Sequence, residues 1–203
     1  MKTIELQAIQ ELISRAEAAF DRGNHAEARE QLLSARALAA EAGLSSGFLV
    51  WRLCVVSDLL NDWRTAMKLA KEAILLDPLA LPFRRSLRIV LDKLRQQLLD
   101  VAARANAADE LEPLYEALIL EGAADDKVHV ALAGHLLRKG DAAGALRLTN
   151  AVTLLSPACS EAWRVKAQAC RALGDEPAAR EAEARAQAQQ LDAEELLLPV
   201  ARA

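Results

Sequence analysis

Residues 133–152, AGHLLRKGDAAGALRLTNAV, and residues 167–186, AQACRALGDEPAAREAEARA, decide the fold when one is set above the other. Ala133, Gly140, Ala145 and Val152 stand 7, 5 and 7 apart, and Ala167, Gly174, Ala179 and Ala186 repeat that spacing 34 residues later. The same frame recurs at Ala16, Gly23, Ala28 and Ala35, and again at Cys54, Asn61, Ala66 and Ala73. Every instance lies in a helix, short turn, helix pattern. Small side chains are needed where helix backbones approach closely, and glycine or asparagine is needed where the turn leaves the right-handed helical region. The turn residues Gly23, Asn61, Gly140 and Gly174 carry more weight than any single alanine, because alanine fills about a fifth of the chain and matches small slots by chance.

Composition agrees with a stack of helices. The chain has 203 residues, 53% of them hydrophobic, 27% charged and only 3% aromatic, with a formal net charge of −4. Abundant alanine and few aromatics suit close helix packing and argue against an aromatic-rich sheet. Residues 1–13 interleave polar with apolar side chains, so neither a secretory signal nor a membrane span is expected. Cys54, Cys159 and Cys170 are odd in number, and two of them occupy apolar helical slots. A reduced, cytoplasmic setting is expected rather than a disulfide framework.

Along the chain, apolar periodicity predicts helix pairs over 3–21 and 25–41, then 48–60 and 63–76, the latter stopped by Asp77-Pro78. Asn24 followed by Glu27 reads as a capping box. From Asn61 to Gly140 the interval is 79 residues, about 11 more than two repeats take, so a third pair is lengthened: a long helix over 82–104 and a shorter one over 109–120. In that register its small slots fall on Leu98, Ala105, Glu110 and Ala117. The fourth pair spans 127–138 and 142–155, and the fifth spans 160–173 and 176 onward.

In the fifth pair Trp163, Ala167, Gly174, Asp175, Ala179 and Ala186 follow an aromatic, small, turn, small, small order that resembles the tetratricopeptide repeat (TPR) family. Pro177 departs from it in the first turn of the last helix, where proline is tolerated, and Cys170 stands where the family carries tyrosine. The resemblance implies an all-α, right-handed α-solenoid of about five TPR-like helix pairs forming one domain over 1–203. Its repeats would run over 9–42, 47–80, an atypical 81–124, 126–159 and 160–193, with 194–203 as a tail.

The resemblance also implies a concave face lined by the first helix of each pair. Its inward positions would hold Gln10, Ile13 and Glu17; Phe48, Trp51 and Val55; Arg95 and Leu99; Lys127, Val130 and Leu137; and Arg164, Gln168 and Arg171. Such a groove is apolar early and basic late. Phe48, Trp51 and Val55 form a second apolar stripe beside that of Val50, Leu53 and Cys54. Either a neighbouring helix covers the second stripe, or Trp51 is a docking hot spot. Arg84, Arg88 and Arg95 fall near one face of the long helix; a solvated surface, an acidic peptide site and a phosphate contact are the alternatives.

No nucleic-acid motif accompanies these arginines in an acidic chain, so no nucleic-acid partner is expected. His129 and His135, six apart, lie on different sides of their helix, and no HExxH, CxxC, glycine-rich phosphate loop or GxSxG elbow occurs. No catalysis, metal or cofactor is expected. The lysines and asparagines with which some TPR modules clamp a chaperone's terminal carboxylate are replaced here by Ile13, Glu17 and Arg52, which sets that role aside. The expected function is a non-enzymatic adaptor or scaffold that binds a protein or peptide, acidic or amphipathic, in its groove. The alternatives are a subunit that self-associates through repeat ends and the apolar tail Leu196, Leu197, Leu198 and Val200, or a small chaperone of the secretion type.

Overall fold

The computed structural model describes residues 2–104 and 108–197. Its helices are α1 (Lys2–Asp21), α2 (His25–Glu41), α3 (Gly47–Leu59), α4 (Trp63–Leu76), α5 (Leu81–Ala103), α6 (Ala108–Leu120), α7 (Asp126–Arg138), α8 (Ala142–Leu155), α9 (Ser160–Ala172) and α10 (Glu176–Leu197). No strand occurs among the described residues. The chain is all-α and built of helix pairs, as the spacing predicts, with helix ends within about a residue of the expected ones.

Backbone chemistry makes the turns. At the end of α1 the Gly23 N–H donates to the Phe20 carbonyl and the Asn24 N–H to Ala19, and the same crossed pair closes α3 (Asn61 to Asp58, Asp62 to Ser57), α7 (Gly140 to Leu137, Asp141 to Leu136) and α9 (Gly174 to Arg171, Asp175 to Cys170). These Schellman closures satisfy carbonyls that a helix end would leave bare, and they need a left-handed residue. Gly140 takes φ +87, and Asn61 reaches φ +58 without being glycine. The next residue then caps the following helix: Asn24 accepts from Glu27 N, Asp62 from Thr65 N, Asp141 from Gly144 N and Asp175 from Ala178 N. One two-residue signal therefore ends one helix and starts the next.

Two compact units are present, Met1–Leu94 and Arg95–Ala203, with the boundary inside α5. In the first unit α1 packs on α2, α2 on α3 and α3 on α4. Ala16, Ala28, Ala35, Cys54, Ala66 and Ala73, the small slots of the sequence frame, are all buried there, and Leu32, Leu53 and Val56 fill the space between them. Side-chain links join residues one repeat apart: Arg29 to Asp62 at 2.9 Å, Arg36 to Glu72 at 2.7 Å, Arg52 to Glu17 at 3.2 Å and Lys93 to Asp58 at 2.5 Å. Such exposed or half-exposed pairs contribute about 0–1 kcal/mol each, so they register the stack more than they stabilise it.

In the second unit α6 packs on α7, α7 on α8 and α9, and α9 on α8 and α10. Ala133, Ala145 and Ala169 form one buried cluster, and Val130, Val152 and Ala162 another. The third pair differs from its expected register. Glu110 is exposed, whereas Leu98, Leu111 and Leu118 are each 0% exposed. In the other pairs the third slot is the fourth residue of the second helix, and Leu111 holds that place in α6. The frame is thus one residue longer here and is filled by leucine instead of alanine. Ala105 lies outside the described residues, as do Leu198, Val200 and the side chains of Leu196 and Leu197, on which the packing of the tail depends.

Candidate partner-binding surfaces

In the first unit Ser46 caps α3 by accepting from Leu49 N, and the helix turns Leu49, Val50, Leu53 and Cys54 into the core. That leaves Phe48, Trp51 and Val55 on the other stripe. Phe48 is 48% exposed, and Trp51 and Val55 are half-buried. The Trp51 indole N–H donates to Ser86 Oγ on α5 at 2.9 Å. Its ring sits between Phe48 and Phe83, with centroids at 5.4 and 5.9 Å. The Arg52 guanidinium lies over the rings of Phe20 (5.5 Å) and Phe48 (5.9 Å) while it pairs with Glu17. Of the residues expected in the early groove, Glu17, Phe48 and Trp51 are therefore joined in one run; Ile13 and Val55 are half-buried on α1 and α3.

The start of α5 covers one edge of the Trp51 ring, and another part of it lines an open cavity of about 850 Å³ with Leu81, Pro82 and Ile89. Arg84, Arg85 and Arg88 complete its lining. These three side chains are exposed, and none has an ion-pair or hydrogen-bond partner among the described residues.

The second unit presents another cavity, of about 700 Å³, lined by α5, α7 and α9. Leu99, Val130, Leu137 and Val165 supply apolar lining, and Lys127, Glu161 and Gln168 supply polar edges. Asp125 fixes the start of α7 by accepting from Val128 N at 3.1 Å. Arg138, also in the lining, donates to the Ala102 carbonyl near the end of α5, where carbonyls lack helical partners. Gly134 opens the middle of α7 onto the same space: a Cβ placed there would meet only Arg138 Nη1, at 3.8 Å.

Lys127, Val130 and Gln168 thus come together with Leu99 and Leu137, but the late cations do not converge. Arg95 Nε donates to the Ala123 carbonyl at 2.7 Å and lies 3.6 Å from Asp125. Arg171 is held by Glu183 at 2.7 Å and Glu176 at 3.8 Å, and the Glu183 bond raises the guanidinium pKa further. Arg164 is exposed and outside the lining. Gly134 was not singled out by the sequence, although a glycine inside a helical pattern is itself a signal.

Burial, and next to it Asp58, pushes the Cys54 thiol up to about 11; burial and then Asp175 raise Cys170. Such thiols are poor nucleophiles. Tyr115 OH meets His129 Nδ1 at 3.0 Å, tying α6 to α7, and burial raises the phenol. Among the described residues no group of three or more His, Cys, Asp or Glu could hold a metal ion, and no helix is long and apolar enough to cross a membrane.

No family model and no curated protein matches the chain. Among solved structures it is similar to MamA 41-end from Desulfovibrio magneticus RS-1, at 14% identity over 91% of this chain and 96% of that one, with a TM-score of 0.40. It is similar to the TPR domain of P58(IPK) at 17% identity over 91% of this chain and 56% of that one, TM-score 0.41. It is also similar to the TPR2AB domain of yeast Sti1, solved in complex with pHSP90, at 17% identity over 92% and 80%, TM-score 0.41. Likenesses this distant carry no weight of their own. What makes four of the helix pairs TPR-like is internal to the chain: the 7-5-7 frame, the left-handed residue at Gly23, Asn61, Gly140 and Gly174, and the buried small slots on either side of it.

Proposed function

We propose that the chain is a non-enzymatic interaction module that docks a segment of a partner protein in the cavity lined by α5, α7 and α9. One observation carries this: three first helices of successive pairs leave an open space of about 700 Å³ with both apolar and polar lining, and a glycine in the middle of α7 borders it. Glycine in a helix interior costs about 1 kcal/mol relative to alanine. No steric conflict requires it at 134, since a Cβ there meets nothing closer than 3.8 Å. A small residue here leaves the cavity wall open, and only a large side chain such as tryptophan would fill it. The size falls within the range of roughly 300–1,000 Å³ typical of ligand pockets. Apolar lining with Lys127, Glu161 and Gln168 at the edges suits an amphipathic helix or an extended peptide, whose apolar side chains enter while its polar groups meet the rim.

The test uses Gly134→Ala and Gly134→Trp as immobilised baits beside the parent chain in a native extract. Proteins retained by the parent and by Gly134→Ala, and lost with Gly134→Trp, are the expected result. Equal retention on all three baits, with circular dichroism unchanged, would show that this cavity is not where partners dock.

Self-association is a second reading, favoured by a different feature. Leu120 at the end of α6 and Leu154 and Leu155 at the end of α8 are 84%, 81% and 81% exposed. Light scattering decides it: a concentration-independent monomer mass removes this reading, and a stable oligomer that Leu154→Lys and Leu155→Lys dissociate supports it.

A further inference from the structure

We infer that the opening turns of α5 together with Trp51 form a second docking site, independent of the α5, α7, α9 cavity, for an acidic amphipathic helix of a partner protein. It lies wholly within the first unit, and nothing in it relies on the function proposed above.

Three observations converge. The cavity of about 850 Å³ is apolar where Trp51, Leu81 and Ile89 line it. The indole N–H of Trp51 is already satisfied by Ser86, so the ring offers the open space a face without an unmet donor. The cations around it are clustered. Elsewhere in this unit Arg22, Arg29, Arg36, Arg52 and Lys93 are ion-paired, and Arg64 and Lys68 are exposed cations with no ion-pair partner among the described residues. Arg84, Arg85 and Arg88, within five residues of one another, have no partner among the described residues. Three clustered guanidiniums repel one another, and the chain, at −4, has carboxylates available elsewhere. Leaving these three uncompensated beside an apolar concavity creates complementarity to a segment that carries both carboxylates and apolar side chains.

The geometry favours a protein helix over other anionic partners. Arg84 and Arg88 are four apart on α5 and form a ridge along it, the arrangement into which a second helix packs. Carboxylates spaced three or four apart on that helix would meet the guanidiniums two bonds at a time. Its apolar side chains would enter the concavity against Trp51, and arginine and tryptophan are residue types that dominate interface energetics. Leu81, 75% exposed at the rim, is open to a membrane as well as to a helix, and the ring of Trp51, held back between Phe48 and Phe83, is reached by side chains that enter the concavity.

Intrinsic fluorescence of Trp51, in a chain carrying Trp63→Phe and Trp163→Phe, reads the site directly. The probe is a synthetic 16-residue helical peptide with leucine at i, i+3, i+4 and i+7 and glutamate flanking the stripe; the controls replace every glutamate by lysine or every leucine by alanine. Saturable binding of the glutamate and leucine peptide, at least tenfold weaker for either control and weakened tenfold or more from 50 to 500 mM salt, is the expected result. Replacing Arg84, Arg85 and Arg88 by glutamate should abolish it and let the lysine peptide bind, while Gly134→Leu, which adds no second tryptophan, leaves it unchanged. The two control peptides test the unaltered arginines should the triple variant fold poorly. Absence of binding, or equal binding of the glutamate and lysine peptides, overturns the proposal. So does binding to vesicles of equal neutral and anionic lipid in preference to the peptide, or an oligomer that the arginine substitutions convert to monomer, since the occupant would then be a membrane or a second copy.

Discussion

Six residues separate Gly134, inside α7, from Gly140, in the turn that follows it, and the two glycines are there for different physical reasons. At Gly140 the backbone is left-handed, φ +87, and a side chain costs about 1–2 kcal/mol. At Gly134 the backbone is helical and the neighbouring space empty, so alanine gains about 1 kcal/mol. Gly140→Ala should therefore lower the urea midpoint and Gly134→Ala raise it, an opposition that a common change in unfolded-state entropy cannot produce. His135 is out of balance in a different way. It is buried on α7, and neither ring nitrogen has a partner. Burial, followed by Lys139 and Arg138 and opposed by Glu112 on α6, holds its pKa below the ordinary value of about 6.5. The unfolded chain therefore takes up the proton first as pH falls. The stability of keeping His135 neutral is present above about pH 6.5 and is lost as pH falls through the lower folded value. His135→Leu removes two unsatisfied buried atoms, so it should add about 1 kcal/mol at pH 7 and flatten urea midpoints measured from pH 7 to pH 5.

At the scale of an element, the crossed turn and its cap form one device, and Asp62 shows how much rests on it. Burial alone would raise its pKa, but hydrogen bonds from Thr65 and the pairing with Arg29 hold the carboxyl below its usual range. Its contribution is complete above the ordinary value of about 3.9 and is lost as pH falls through the lower folded one. Asp62→Ala should cost about 1 kcal/mol at pH 7 through the lost cap, and the cost should shrink in melts below pH 4. Caps and turns of this kind are local, which is why the bounds of the helices were legible to within about a residue. The slot register of the third pair was not, because its slots hold Leu98, Leu111 and Leu118, and Ala117, one residue out of register, satisfied the small-residue rule in an alanine-rich chain. The placement of the candidate side chains was legible only as far as a single helix face predicts it. Lys127, Val130 and Gln168 follow from helix register, but the diversion of Arg171 to Glu183 depends on the next helix, and the anchoring of Trp51 depends on Ser86, 35 residues away.

At the scale of the molecule, the expected consequence of stacking is that stability is a sum over pairs and their immediate neighbours. Trp63 reports on the first unit. Trp163 reports on the second: its indole donates to the Pro157 carbonyl at 2.8 Å, and Lys166 and Arg185 lie over its ring at 4.7 and 5.5 Å. Leu53 is 1% exposed in the core of the first unit, and Leu53→Ala should cost about 2–5 kcal/mol there. In chains that retain one tryptophan each, the substitution should lower the urea midpoint seen by Trp63 and move the one seen by Trp163 less. The same reporters separate the two proposed docking sites, because a ligand stabilises only what unfolds together with its site. The glutamate and leucine peptide should raise the Trp63 midpoint more than that of Trp163, and a partner held by α7 and α9 should do the reverse. Equal shifts of both reporters, for the substitution and for the ligand alike, would mean that the chain unfolds all at once and that occupancy at either site is felt by every helix pair.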